Sequence, residues 1–292
     1  MSEALIALIA GALTYSIPLA LASLGEVVNQ RAGQVNVGLE GMMLGGAFFG
    51  MTATLGTGSP VLGLLVGVAV GVLLGLLQAV FTIKLSRDQV VIGVALNLFV
   101  LGLTNTLFRS RFGESGQLLS VPTLPKWHGF DVMLPIALLV AAGLSVAIHH
   151  SAWGLAVRSA GEMPRALQSV GHSVPKLRLQ AACIGAALAG LAGAYLAVGL
   201  TGTFNEGMPA GKGFMALAMV SFGRWRTPWV YLACVFIATA EASRFTLQAT
   251  GVTWIPSQAL VAFPYVLALV VLVVVGRGND APQHLGRPYE ST

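Results

Sequence analysis

Most residues that could do chemistry in this 292-residue sequence stand inside or beside long apolar runs. Glu40 follows Asn36 and Gly38, and precedes Gly41, Gly45 and Gly46, within the run Val35–Leu55. An ionised side chain at mid-membrane costs about 2.5–3.5 kcal/mol on insertion scales, so it must face a bundle interior or a cavity. Glu40 can therefore line a solute path or tie neighbouring helices together, and the glycines around it permit close packing or a local break. Asn97 lies in the middle of another run, with Asn105 two turns further on. Such amides either hydrogen-bond between helices or meet a solute. Asn205, Glu206 and Lys212 precede a half-length apolar run, Gly213–Gly223. Broken segments of this kind border solute sites in transporters, although the same residues also suit a solvated loop. Glu241 and Arg244 are three apart, which lets them pair on one helix face.

Other chemistries fail on spacing. Asp88, Asp131 and Asp280 all fall between apolar runs, which leaves no intramembrane aspartate pair, and no Ser in a Gly-x-Ser setting has a His within a run to activate it. The 5 His are scattered, and the 2 Cys, Cys183 and Cys234, sit singly in apolar runs. They cannot form a disulfide framework or a cysteine-based metal site. The stretch Gly207-Met-Pro-Ala-Gly-Lys212-Gly213 approaches a phosphate loop but is one residue short, and Gly213 stands where Ser or Thr is required. No cofactor and no metal is expected. The net charge of +5 points to no nucleic acid, because the basic residues are not clustered.

The elements that must position these residues follow from composition. With 16 Lys+Arg and 11 Asp+Glu, charged residues make up 9% of the chain, against roughly 25% in an ordinary soluble domain. Apolar residues make up 55%, and the mean hydropathy is +0.80. That leaves too little polar material to cover a water-exposed globule, and it excludes disorder. The 36 Gly fit closely packed membrane helices.

Spanning the bilayer takes about 20 apolar residues in a helix. Ala4–Leu24, Pro60–Ile83, Gln89–Phe108, Leu179–Leu200 and Pro256–Gly276 qualify without a charge. Val35–Leu55, Val132–His150, Pro228–Arg244 and the half-length Gly213–Gly223 complete the set. The first run lacks a basic flank and is too long for a cleavable leader, so it reads as a retained helix. Alternating barrel strands are absent. The expected fold is all-α, a polytopic membrane helix bundle of about 8–10 transmembrane helices, one of them short or broken. In that element Phe204–Lys212 can form an irregular first part. No composition shift marks a soluble domain, so residues 1–278 read as one membrane domain and 279–292 as a short, loosely ordered cytoplasmic tail.

An outer N-terminus with nine crossings puts Arg31, Lys84, Arg87, Arg158, Arg165, Lys176, Arg178, Arg224, Arg226, Arg277 and Arg287 inside. Arg109, Arg111, Lys126 and Lys212 remain outside, so this orientation satisfies the bias of basic residues toward the cytoplasm. The longest inner loop is then about 151–178. Within it Pro164 suits the first turn of a helix and Gly171 its C-terminal cap, giving a helix of roughly eight residues and about 12 Å. A short helix there could lie along the cytoplasmic surface and dock into a soluble partner, or it could be a plain connection.

The stretch Arg158-Ser-Ala-Gly-Glu-Met-Pro-Arg-Ala-Leu-Gln-Ser-Val-Gly171 resembles the coupling loop of permeases of ATP-binding-cassette (ABC) importers in the branched-chain amino acid and simple-sugar superfamily. Val35-Asn-Val-Gly-Leu-Glu-Gly-Met-Met-Leu-Gly-Gly-Ala-Phe-Phe-Gly50 resembles the second-span signature of the nucleoside-type permeases. Ala210-Gly-Lys-Gly-Phe-Met-Ala-Leu-Ala-Met-Val-Ser-Phe-Gly-Arg-Trp225 and Leu285-Gly-Arg-Pro-Tyr289 resemble later motifs of that subfamily, in order along the chain. Met163 departs from the pattern, which commonly has Asn there, and Met cannot cap a helix.

The resemblance implies a permease subunit of an ABC importer, with ATP hydrolysis in separate cytoplasmic ATPase subunits. It also implies a paralogous permease partner, an extracytoplasmic solute-binding protein and a place in the bacterial cytoplasmic (inner) membrane. Glu162 and Arg165 would make polar contacts with the ATPase, Ala166 and Leu167 would pack into its groove, and Pro164 and Gly171 would bound the docking helix. Asn36, Glu40, Asn97, Asn205, Glu206 and Lys212 are the candidates for the translocation pathway. Phe48, Phe49, Phe99, Phe204 and Phe214 are candidates to stack on a base, and also suit core or lipid-facing positions. A nucleoside or purine-like solute is the first reading, a simple sugar the second and a branched-chain amino acid the third. A self-contained secondary transporter needs no coupling loop and should carry more ion-coupling carboxylates.

Overall fold

The structure, a computed structural model, describes residues 2–113, 120–127, 130–249, 256–275 and 280–287. Arg277, Pro288 and Tyr289 lie outside these residues. Each apolar run of the sequence forms a helix: α1 (Ser2–Arg31), α2 (Leu39–Thr57), α3 (Pro60–Ala79, continued by a wider π turn over Val80–Lys84), α4 (Gln89–Phe112) and α5 (Met133–His150). Then follow α6 (Ala152–Glu162), α7 (Pro164–Ser169), α8 (Val174–Ala194, continued by a π turn over Tyr195–Thr201), α9 (Lys212–Phe222), α10 (Thr227–Ala249) and α11 (Ser257–Val275). Between α4 and α5, β1 (Lys126–Trp127) and β2 (Phe130–Asp131) form a two-residue antiparallel pair with Lys126 opposite Asp131. The fold is an all-α helix bundle, as the composition requires.

Among the described residues six helices are long and apolar enough to cross a membrane: Leu8–Arg31, Pro60–Lys84, Gln89–Phe112, Met133–His150, Val174–Thr201 and Thr227–Gln248. Helix α2, which carries Glu40 and a run of glycines, packs between α3, α4 and α8 and is mostly shielded. A Cβ at Gly46, Gly71, Gly190 or Gly193 would collide with the backbone of a neighbouring helix, so α2, α3 and α8 meet almost backbone to backbone. Dispersion contacts between such small residues hold helices together where lipid removes the hydrophobic drive. The central helices α1, α2 and α8 are mostly buried, while Leu73, Leu98, Leu139, Leu232 and Leu269 face outward from the peripheral ones.

Hydrogen bonds assign the two ends of the bundle. At one end Arg31 Nε donates to the Trp225 carbonyl (3.1 Å), His284 N to the Gly161 carbonyl (2.9 Å), Gly286 N to the Gly33 carbonyl (3.1 Å) and Arg178 Nε to the Ala32 carbonyl (3.2 Å). At the other end Arg109 pairs with Glu206, Tyr195 Oη donates to Asp131 (2.6 Å) and Val121 N to the Gly202 carbonyl (2.9 Å). The irregular stretch 202–211 descends from the second end into the bundle, and α9 completes the pass to the first. The half-length run is therefore one half of a broken pass. Helices α6 and α7 lie at the first end, beside residues 280–287.

Two features depart from the sequence expectation. The loop 151–178 contains an additional helix, α6, whose N-cap Ser151 accepts from Gly154 N (3.0 Å). Its apolar face was too short to register as a span, and Gly154 and Gly161 masked its periodicity. The described part of the tail, 280–287, is held by α6 and by the α1–α2 turn rather than loose, because its backbone finds partners in Gly161, Glu162, Gly33 and Arg178.

Candidate functional site

Breaking a helix inside a membrane leaves backbone N–H groups without partners, each costly where water is absent. Helix α9 begins at such a break. Its N-cap Gly211 has φ +86°, a left-handed conformation that suits glycine, and offers no capping side chain. Glu40 supplies the cap from α2: Oε1 accepts from Gly211 N (2.6 Å) and Oε2 from Gly213 N (2.7 Å). A carboxylate there also meets the positive end of the helix dipole. Gly213 permits the approach, since a Cβ on it would lie 2.5 Å from Glu40 N and 2.8 Å from Oε2. Next to it, Lys212 Nζ bonds both oxygens of Glu241 on α10, at 2.6 and 2.8 Å, with the two side chains 15% and 19% exposed. The tip of the broken pass is thus held by one acid from α2 and one from α10. Tyr265 Oη of α11 adds a bond to the Ala210 carbonyl (2.5 Å).

Asn97 does for α2 what Glu40 does for α9. Its Oδ1 accepts from Gly41 N (2.7 Å) in the first turn of α2, and its Nδ2 donates to the Val37 carbonyl (2.9 Å). Asn36, 3% exposed, donates its backbone N–H to Glu26 Oε1 (3.0 Å). Glu26 is fully buried and also accepts from Gln30 Nε2 (2.9 Å) and Asn29 Nδ2 (3.3 Å). Asn29, Asn36, Gln34, Gln78 and Gln89 line a small polar cavity of about 10 Å³ next to this cluster.

Glu26 lies just beyond the apolar run that ends at Leu24, so the run pattern alone does not single it out. The i, i+3, i+4 spacing of Glu26, Asn29 and Gln30 was the available signal. Arg178 was also missed as an internal anchor: it is 3% exposed and bonds the carbonyls of Ala32 and Arg287.

Of the expected pathway residues, Glu40 and Lys212 meet at the start of α9, and Asn97 and Asn36 sit at the start of α2. Asn205 and Glu206 stay apart from them, exposed at the second end. There Arg109 Nε and Nη2 donate to the two Glu206 oxygens (2.8 and 3.0 Å), and this bonding holds the Glu206 carboxyl below the usual carboxylate range. The expected pairing of Glu241 with Arg244 is replaced by Glu241 with Lys212, and Arg244 lies over the Phe245 ring at 4.4 Å. A lysine on a neighbouring element offers three donors to the carboxylate without bending one helix face. Phe48, Phe49 and Phe204 join Phe108 in an aromatic cluster with centroids 5.1–5.3 Å apart, whereas Phe99 and Phe214 face outward. Among the described residues no group of three or more His, Cys, Asp or Glu stands placed to hold a metal ion.

The segment expected to dock on an ATPase is short and geometrically defined. Pro164 opens α7, Met163 provides no side-chain cap, and Gly171 at φ +85° ends the turn, with Gly171 N on the Gln168 carbonyl (2.9 Å). Arg165 and Ala166 are exposed, but Leu167 turns inward at 6% exposure and joins the core instead of pairing outward with Ala166. The outward apolar residues are Leu155, Met163 and Val170, at 59%, 59% and 71%. They border a shallow cavity of about 410 Å³ together with Arg158, Glu162 and Ala166. Glu162 Oε2 is reached by Gln283 N (3.3 Å), so the tail shares this acid with the surface.

No solved structure matches the chain. It is 32% identical to the nucleoside ABC transporter permease protein NupC of Lactococcus lactis, over 97% of this chain and 96% of that protein. It is 32% identical to the guanosine ABC transporter permease protein NupQ of Bacillus subtilis, over 95% and 94%. It is also 33% identical to the putative glucose ABC transporter permease protein TsgC13 of Haloferax volcanii, over 83% and 78%. Residues 8–276 match the family described as the permease component of the branched-chain amino acid transport system. With its apolar helices, the chain belongs to that family of multi-pass membrane permease components.

Proposed function

We propose that this chain is the transmembrane subunit of an ABC importer and forms half of the path for a nucleoside or purine-like solute. The observation that carries the reading is end-to-end similarity to NupC and NupQ, which spans the broken pass and the coupling element alike. ATP hydrolysis belongs to separate ATPase subunits that seat on α6 and α7. Leu155, Met163 and Val170 are the apolar contact there, and Arg165 and Glu162 the polar rim. A paralogous permease completes the path, and an extracytoplasmic binding protein delivers the solute.

The start of α9 borders the path. Glu40, Lys212 and Glu241 fix its position, and the backbone break lets polar groups face a cavity at membrane depth. A simple sugar is the second reading, supported by the similarity to TsgC13. The cognate binding protein separates the two: titration calorimetry should detect guanosine or a related nucleoside and no glucose. Glucose binding without nucleoside binding would reverse the order.

A further inference from the structure

At the end of the bundle that carries α6 and α7, two cavities meet at Arg226 and Trp229. The first, of about 440 Å³, is lined by Arg31, His149, Arg158 and Arg226, and among the described residues no carboxylate lines it. These basic residues come from four elements: the end of α1, the end of α5, helix α6 and the turn before α10. Backbone carbonyls orient two of them, Arg31 Nε on Trp225 (3.1 Å) and Arg158 Nε on Gly154 (3.4 Å). Glu162 and Asp280 lie near enough for Arg31 to feel their charge. Among the described residues, however, neither forms an ion pair with Arg31, Arg158 or Arg226, and Asp280 is taken by Arg224. Three guanidiniums facing one cavity repel each other, and an anion between them removes that cost.

The second cavity, of about 630 Å³, continues from the first along α10 and α11 past Phe222, Leu232, Phe236 and Val271. On α10 the outward residues are Trp229, Leu232 and Phe236, exposed by 59%, 54% and 51%. Their spacing of three and then four puts them on one face. Tryptophan at the end of a membrane helix sits at headgroup depth. A basic cavity that opens into an apolar, bilayer-facing groove fits a molecule with an anionic head and a hydrocarbon tail. An acidic segment of a soluble partner would use only the basic half.

We propose that these two cavities together bind one anionic phospholipid. Its phosphodiester lies among Arg31, Arg158 and Arg226, and an acyl chain lies against Trp229, Leu232 and Phe236. The lipid joins α6 of the coupling element to the α9–α10 turn.

Native mass spectrometry of the full-length chain, purified in detergent and mixed with equal phosphatidylglycerol and phosphatidylcholine of matched acyl chains, tests this. Wild type should retain phosphatidylglycerol over phosphatidylcholine by about fivefold or more, the scale of one basic residue near an anionic lipid. The double variant Arg158→Gln, Arg226→Gln should bring the ratio near parity. Trp229→Ala should lower retention of both lipids at an unchanged ratio. Lys84→Gln, which lines neither cavity, should keep the preference and controls for folding. Equal retention of both lipids by wild type, or a double variant that keeps the preference, overturns the proposal. So does a double variant that keeps its lipid preference but no longer co-purifies with the ATPase, because the basic cavity then faces a protein.

Discussion

Replacing Glu40 by Gln separates a helix cap from a solute ligand. The carboxylate accepts one N–H on each oxygen, Gly211 on Oε1 and Gly213 on Oε2, at 2.6 and 2.7 Å. A glutamine keeps one acceptor and turns an NH2 toward the second N–H, so one bond is lost outright and the other loses its charge. Hydrogen bonds to charged groups contribute about 1.5–3 kcal/mol each and neutral ones about 0.5–1.5. The negative charge at a helix N-terminus adds about 0.3–1 kcal/mol. Glu40→Gln should therefore cost about 4 kcal/mol, and Glu40→Ala at least as much, since it leaves both N–H groups buried without an acceptor. Unfolding in mixed micelles as a function of sodium dodecyl sulfate, on protein that inserts normally, measures this, with solute uptake recorded in parallel. Uptake should fall in proportion to the folded fraction. An unfolding free energy within about 0.5 kcal/mol of wild type, together with lost uptake, would refute the capping account and make Glu40 a solute ligand.

Four further outcomes follow from the same geometry. Gly213→Ala places a methyl 2.5 Å from Glu40 N, so α9 must move off α2, and the thermal midpoint should fall by the equivalent of about 1–3 kcal/mol. Asn97→Leu leaves Gly41 N and the Val37 carbonyl without partners, and should destabilise by about 1–3 kcal/mol in the same unfolding assay. Val170→Glu, on the exposed face of the coupling element, should abolish ATPase co-purification while stability changes by less than about 0.5 kcal/mol. Because Arg109 holds the Glu206 carboxyl below its ordinary range, this pair stabilises the loop at neutral pH and its contribution is lost as pH falls through that lowered value. Protection factors over 202–211, taken against the intrinsic exchange rate at each pH, should fall on acidification in wild type and stay constant in Arg109→Gln.

The parts legible in the sequence were those set by local pattern. Apolar runs of membrane length gave the helices, Pro164 and Gly171 bracketed α7, and the half-length Gly213–Gly223 marked a broken pass. Partners distant in the chain were not legible. Glu40 meets Gly211 and Gly213 more than 170 positions away, and nothing in its neighbours names them. Glu241 had an acceptable partner three residues on, yet Lys212 approaches from another element with better geometry. The resemblance implies an outward docking role for Leu167, but the core beneath α7 takes its side chain and leaves Met163 and Val170 outside. The tail reads as loose because its composition is polar, while its order comes from partners distant in the chain, the carbonyls of Gly33 and Gly161 and the side chains of Glu162 and Arg178.

The most direct test of the account is solute uptake by proteoliposomes containing this chain, its paralogous partner permease and the ATPase, with the binding protein added outside. The account predicts guanosine uptake that requires ATP hydrolysis inside the vesicle and disappears when Val170→Glu prevents the ATPase from docking. Uptake by the permease alone, driven by an ion gradient and indifferent to ATP, would contradict it.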